Sequence, residues 1–185
     1  MKCNTFSLRC LPLTVLCLFT ASALLTGCKT PSKSPTKGPA IRINAGATAP
    51  YTDPRGNVWL PDQGFTGGKM VDRGQAEITG TDNPVIYRTE HFGMSVFSYP
   101  VPNGKYTVKL HFAETFPKVT EKGQRVFTMN VEGNYLKAFD VVEKAGAPRK
   151  AWVETVSVTV TDGQLDITFT PMVQNPEINA IEILP

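Results

Sequence analysis

Beyond Cys28 the sequence contains no cysteine: Cys3, Cys10, Cys17 and Cys28 all lie within the first 28 of 185 residues. A disulfide framework, a thiolate metal centre and a cysteine nucleophile are therefore excluded for the remainder. An excess of charge is lacking as well. Lys2 and Arg9 are the only charged residues before Cys28, and without them the 19 basic residues fall to 17 against 16 acidic ones, a net charge of +1. A nucleic-acid binder normally carries a strongly basic face, so nucleic acid is not the expected partner. Histidine is scarce, with His91 and His111 alone. No Gly-x-Ser-x-Gly elbow, His-Glu-x-x-His pair or phosphate-binding glycine loop occurs. After the leader, no window of about a dozen residues carries a helical period.

What is present begins with that leader. Lys2 and Arg9 form a positive n-region before the apolar stretch Leu11 to Leu25, a length suited to a signal peptide and short for a membrane span. Leu25-Thr26-Gly27-Cys28 resembles the lipobox of bacterial lipoproteins. The resemblance implies removal of residues 1–27, lipidation of Cys28 and a firm hold on a membrane, each buried acyl methylene contributing about 0.8 kcal/mol. Lys29, where an aspartate would imply inner-membrane retention, implies an outer-membrane address in the bacterial cell envelope, periplasmic or surface-facing. Residues 29–39 read Lys-Thr-Pro-Ser-Lys-Ser-Pro-Thr-Lys-Gly-Pro and offer nothing apolar to a core. They form a tether, about 35 Å long if extended like polyproline II. The expected plan is a leader at 1–27, a lipidated cysteine and tether at 28–39, and one domain at 40–185.

That domain has the periodicity of strands. Tyr106 to Phe112 places Val108, Leu110 and Phe112 on one face and Thr107, Lys109 and His111 on the other. Phe127, Met129 and Val131 alternate in the same way, as do Val156, Val158 and Val160, and Leu165, Ile167 and Phe169. Pro102-Asn103-Gly104, Glu132-Gly133-Asn134 and Asp162-Gly163 supply turn residues that tolerate positive φ. Further strand-like runs occur at 41–44, 85–89, 94–99, 136–142 and 178–184. The pattern predicts an all-β fold, an antiparallel β-sandwich of roughly nine or ten strands.

Several segments together carry a family resemblance. They are Ile41-Arg-Ile-Asn-Ala-Gly46, Tyr51-Thr-Asp-Pro-Arg-Gly-Asn-Val-Trp59, Asp62-Gln-Gly-Phe-Thr-Gly-Gly68, Tyr87-Arg-Thr-Glu90, Val101-Pro-Asn-Gly-Lys-Tyr106, Leu110-His-Phe-Ala-Glu114, and Asn175-Pro176 followed by Ala180-Ile-Glu-Ile183. In this order they resemble the malectin domain across 40–185. The resemblance implies a jelly-roll-like, galactose-binding-like β-sandwich that binds carbohydrate; no cofactor is expected and no residue is singled out as a metal ligand.

A pyranose presents an apolar C–H face and a rim of hydroxyls, so its receptor needs aromatic platforms and planar amide or carboxylate groups. Malectin contacts sugar through aromatic residues in three loops and an aspartate before the Asn-Pro pair. By resemblance these positions are Phe65 near the glycine-rich loop, Phe92, Phe116 with Pro117, and Gln174. Phe92 and Phe116 stand where the family's namesake has tyrosines and lack the phenol. Gln174 replaces a charged acceptor with a neutral amide, whose hydrogen bonds are roughly half as strong. A glucose-disaccharide specificity therefore does not carry over.

For each phenylalanine the sequence leaves two roles open, core or platform. Gln174 and Asn175 likewise either cap a turn or meet ligand. Trp59 and Trp152, and the Tyr87, Arg88 and Glu90 group, read as scaffold. Glu90, Glu114, Asp53 and Asp62 supply carboxylates for a glycosidase pair, but Glu90 and Glu114 are better explained as scaffold, and no catalytic role is expected. Asp53, Asn57 and Asp62 lack the dense alternation of a calcium loop. The sequence thus predicts a lipid-anchored, non-catalytic carbohydrate-binding protein. The alternative is an envelope docking module for a glycan-processing enzyme, motivated by the absence of an accompanying catalytic domain in this sequence.

Overall fold

A computed structural model of the protein describes residues 38–185. The expected leader, Cys28 and the tether up to Lys37 lie outside the described residues.

Twelve strands are described: β1 (Ile41–Asn44), β2 (Tyr51–Thr52), β3 (Val58–Trp59), β4 (Phe65–Asp72), β5 (Thr89–Pro100), β6 (Gly104–Phe112), β7 (Val126–Val131), β8 (Asn134–Phe139), β9 (Trp152–Val160), β10 (Gln164–Val173), β11 (Glu177–Ile178) and β12 (Ala180–Leu184). A single short helix, α1, covers Val141–Ala145. Two antiparallel sheets form the sandwich. One has the order β1-β12-β6-β9; the other runs β11-β5-β10-β7-β8, with β4 on the free edge of β5. The small β2–β3 pair stands apart from both.

The period-2 patterns decide which faces meet. Val108, Leu110, Phe112, Ile181 and Ile183 from one sheet pack with Phe97, Phe127, Met129, Leu165 and Ile167 from the other, all fully buried. Each such side chain contributes about 1.5–3 kcal/mol by leaving water. A smaller cluster of Trp59, Ile78, Ile86, Tyr87, Ala113 and Ala180 lies outside this layer.

Four departures from the sequence expectation have local causes. Residues 85–89 were expected as strand, but Pro84–Tyr87 form a 3-10 turn, because Pro84 fixes φ at the turn's start and supplies no ladder donor. The strand expected at 136–142 stops at Phe139: Asp140 caps α1 by accepting from the Glu143 N–H at 3.1 Å, and Gly146 closes the helix with φ 83°. The run expected at 178–184 is divided at Asn179. This buried side chain accepts from the Ala113 N–H at 2.5 Å and donates to the Tyr87 and Thr89 carbonyls at 3.3 and 2.9 Å. It fastens the point where the chain passes from one sheet to the other. Finally, β4 was not anticipated. It is held by its ladder to β5 and is mostly exposed, so no burial pattern marks it in sequence.

This topology gathers one set of ends. The close of β4, the start of β5, the loop from β6 to β7, and the link from β10 to β11 all lie at the same end of the sandwich.

Candidate functional site

At that end a cavity of about 220 Å³ is lined by Val71, Arg73, Glu90, Phe92, Phe116, Arg125, Gln174 and Asn175. Three of the expected contacts therefore meet. Phe92 and Phe116 are half-buried, and Gln174 is exposed. Gln174 adopts φ 60°, a left-handed conformation uncommon for a side chain other than glycine, in the corner between β10 and β11.

Two expected contacts lie elsewhere. Phe65 packs against Phe97 at 5.0 Å and stacks on His91 at 4.4 Å between ring centroids, adding to the main core rather than lining the cavity. Its place on β4 opposite Phe97 turns it toward that packing. Pro117 is exposed and does not line the cavity.

Behind the aromatic residues lies a charged scaffold. Arg125 donates from Nε to Glu114 Oε2 at 2.6 Å and from Nη1 to the Asn175 carbonyl. Glu114 Oε1 accepts the Phe116 backbone N–H at 2.9 Å. Arg73 donates from Nη2 to Glu90 Oε1 at 2.5 Å, and the Thr115 hydroxyl donates to Glu90 Oε2 at 2.5 Å. Both guanidinium carbons sit 5.9 Å from the centre of the Phe116 ring, in cation–π range. Glu177 lies close by, fully buried, and neither of its oxygens has a hydrogen-bond partner among the described residues. Burial, with the charges of Glu114 and Glu90, pushes its carboxyl well up against the pull of Arg125 and Arg73. Beside it, the guanidiniums of Arg73 and Arg125 face the carboxyl groups of Glu90 and Glu114.

Glu90 and Glu114 are thus each committed to an arginine, as scaffold residues are. Arg73 and Arg125 were not singled out from the sequence. The signal was available: two acidic residues expected in the scaffold of a β-domain require buried cationic partners.

A larger groove of about 450 Å³ lies on the outer face of the four-stranded sheet, under the β2–β3 turn, and contains none of the expected sugar contacts. There Asp53 accepts from the backbone N–H groups of Arg55 and Asn57, both at 2.9 Å, from Asn57 Nδ2 at 2.9 Å and from Trp59 Nε1 at 3.1 Å. Burial would raise this carboxyl, but the donors outweigh it and hold it at about 2. Asp53 is the organiser of the turn. His111, which had no partner assignable from sequence, has two. Its Nε2 donates to Glu182 Oε1 at 3.1 Å, and its Nδ1 meets the Tyr87 hydroxyl at 2.8 Å. Burial and the Glu182 charge raise the Tyr87 phenol, so that hydroxyl keeps its proton.

Residues 40–181 match the malectin domain. The chain belongs to the malectin domain family. Among curated relatives, this malectin domain is 29% identical over 150 residues to the kinesin-like protein KIN-14E of Oryza sativa subsp. japonica, an overlap of 75% of this chain and 14% of the relative. It is 34% identical over 84 residues to Receptor-like protein 4 of Arabidopsis thaliana, an overlap of 44% and 13% respectively. The chain spans only a small part of these longer proteins. Among solved structures, the Bacteroides uniformis β-glucuronidase superposes with a TM-score of 0.70 at 22% identity, over 78% of this chain and 18% of the enzyme's. The plant protein FER, in complex with the peptide RALF23 and with LLG2, gives 0.66 at 20% identity, over 77% and 47%. At such identities the likeness is one of fold, and the malectin-like fold seen here is shared with plant receptor ectodomains.

Proposed function

We propose that the protein is a non-catalytic carbohydrate-binding module that takes a glycan in the cavity bounded by Phe92, Phe116 and Gln174. The observation that carries this is their convergence, from strand β5, the β6–β7 loop and the β10–β11 link, on one opening. Phe92 and Phe116 offer apolar faces to a sugar ring, while the Gln174 and Asn175 amides are placed for its hydroxyl rim. A lipid on Cys28 would hold the module in the bacterial cell envelope, at the outer membrane, with residues 29–39 as spacer.

Calorimetric titration of the whole chain with α- and β-glucans, galactans and peptidoglycan fragments tests the binding. Heat of binding to at least one series, with affinity weakened in Phe116→Ala, is expected; silence across all of them refutes the proposal. Incorporation of radiolabelled palmitate, abolished by Cys28→Ala, is the expected result for the anchor.

One observation favours a second reading. The similar FER structure contains a bound peptide and a protein partner, so a sandwich of this fold is also a reasonable docking module for a glycan-processing enzyme. Capture of such an enzyme from envelope extracts, undiminished by competing sugar, would favour docking.

A further inference from the structure

The groove over the four-stranded sheet has more hydrogen-bond donors than it has acceptors to meet them. Arg42 on β1, Glu182 on β12 and Lys109 on β6 stand in one cross-strand row and point outward, opposite to the core residues that flank them. Glu182 is the only carboxylate in that row, and both its oxygens are taken: Oε2 by Arg42 Nε at 2.8 Å and Oε1 by His111. Asp53, at the edge of the groove, is used up inside its own turn.

The donors are not used up. Arg42 is bonded only through Nε, so both its terminal nitrogens have no protein acceptor among the described residues, and Lys109 Nζ has none. Arg55 reaches in from the turn with its side chain 77% exposed, paired only with the still more exposed Asp82 at 3.3 Å. An ion pair of that kind contributes about 0–1 kcal/mol and gives way readily. Neutral polar groups accompany these cations: Asn57 Oδ1 and the Asn83 side-chain N–H₂ are without protein partners among the described residues. The volume, about 450 Å³, is that of a small-ligand cleft.

We propose that this groove is a second ligand site, taking a small saccharide that bears an anionic group, carboxylate or phosphate. The anion would meet Arg42, Lys109 and Arg55, and the Asn57 and Asn83 amides would meet hydroxyls. A charged acceptor forms the stronger class of hydrogen bond with guanidinium and ammonium groups. The site shares no residue with the Phe92–Phe116 cavity and does not depend on the function proposed for it.

The test uses one ring with three substituents: glucose, glucuronic acid and glucose 6-phosphate, each titrated into the whole chain with amide shifts followed by NMR. At least one charged sugar is expected to bind at least about tenfold more tightly than glucose, a difference of about 1.4 kcal/mol. Comparison of the two identifies carboxylate or phosphate as the preferred group. Shifts should centre on Asn57, Asn83 and Val153. Lys109→Gln and Arg55→Gln, both surface changes, should each weaken binding severalfold, raised salt should weaken it further, and Phe116→Ala should leave it unchanged. Equal affinity for glucose, no binding of either charged sugar, or shifts centred on Phe92 and Phe116 would each overturn the proposal.

Discussion

Arg125 binds Glu114 through Nε at 2.6 Å, and the same guanidinium reaches the Asn175 carbonyl on the far side of the cavity. Because Glu114 also holds the Phe116 backbone N–H, a single buried ion pair sets the distance between the Phe116 loop and the Gln174 corner. Removing Arg125 leaves an unpaired buried carboxylate, which costs about 3–5 kcal/mol. Arg125→Met should therefore lower stability by that order in urea denaturation. The double variant Arg125→Met with Glu114→Gln should recover part of it while still impairing ligand binding, since the loop spacing is not restored.

Phe92, Phe116 and Phe65 should separate by function. Truncating Phe92 or Phe116 to Ala removes a stacking face and should weaken glycan binding by about 0.5–1.5 kcal/mol beyond the lost contact area. Phe65→Ala should leave affinity near that of the parent and instead cost about 2–4 kcal/mol of stability, because its ring packs on Phe97 and His91. Parallel calorimetry and urea melts on the three variants check this. Loss of binding in Phe65→Ala at unchanged stability would reverse the assignment.

His91 predicts a pH dependence. Its Nδ1 faces Asp62 Oδ2 at 2.9 Å and its Nε2 faces the Gly67 carbonyl at 2.9 Å, so both ring nitrogens meet acceptors and the imidazolium is the form that satisfies them. Burial lowers the pKa, but the Asp62 hydrogen bond, the Gly67 carbonyl and the Asp62 charge outweigh it, and the native value lies above 6.5. A raised native pKa means that the folded state holds the proton more tightly than the unfolded chain. The stabilisation is complete below about pH 6.5 and disappears as pH rises through the native value. Unfolding free energies measured between pH 5.5 and 8.5 should fall with pH in the parent, and the slope should flatten in His91→Gln.

Asn179 should tolerate little change. Its side chain satisfies three buried backbone groups, and Asn179→Ala orphans the Ala113 N–H and the Tyr87 and Thr89 carbonyls. At about 1–3 kcal/mol for each unsatisfied group, the loss should approach the whole stability of a domain of this size. Asn179→Asp, which keeps an acceptor for Ala113 but no donor, should fall between the parent and the alanine variant in thermal melts.

Gly68 adds a backbone case. A Cβ there would lie 2.5 Å from the Phe92 carbonyl oxygen and 2.7 Å from the Met94 nitrogen, at φ 79°. Gly68→Ala should therefore displace β4 from β5, and faster amide exchange across 65–72 in a spectrum otherwise unchanged is the expected signature.

How much was legible depended on whether a residue's role shows in its spacing. The strands whose apolar residues alternate toward the core, β6, β7, β9 and β10, are readable because alternation and burial are the same fact seen twice. β4 is held by its backbone ladder to β5 and is mostly exposed, so no apolar alternation marks it. Phe65 on β4, Phe92 on β5 and Phe116 in the loop after β6 are one residue type, and spacing does not say which ring turns inward. Arg73 and Arg125 lie 52 positions apart in a chain of balanced charge, and their shared relation to Phe116 exists only after folding.

The sequence by itself determined the all-β sandwich, the family and the cysteine-free domain, because these follow from period-2 burial, turn chemistry and ordered motifs along one chain. The tertiary structure alone decided that Phe92, Phe116 and Gln174 meet while Phe65 joins the core. It also decided that Glu114 and Glu90 are held by arginines, and that Arg42 and Lys109 flank a single carboxylate. Each of these depends on register between strands distant in sequence, and a shift of one residue would turn every such side chain to the opposite face.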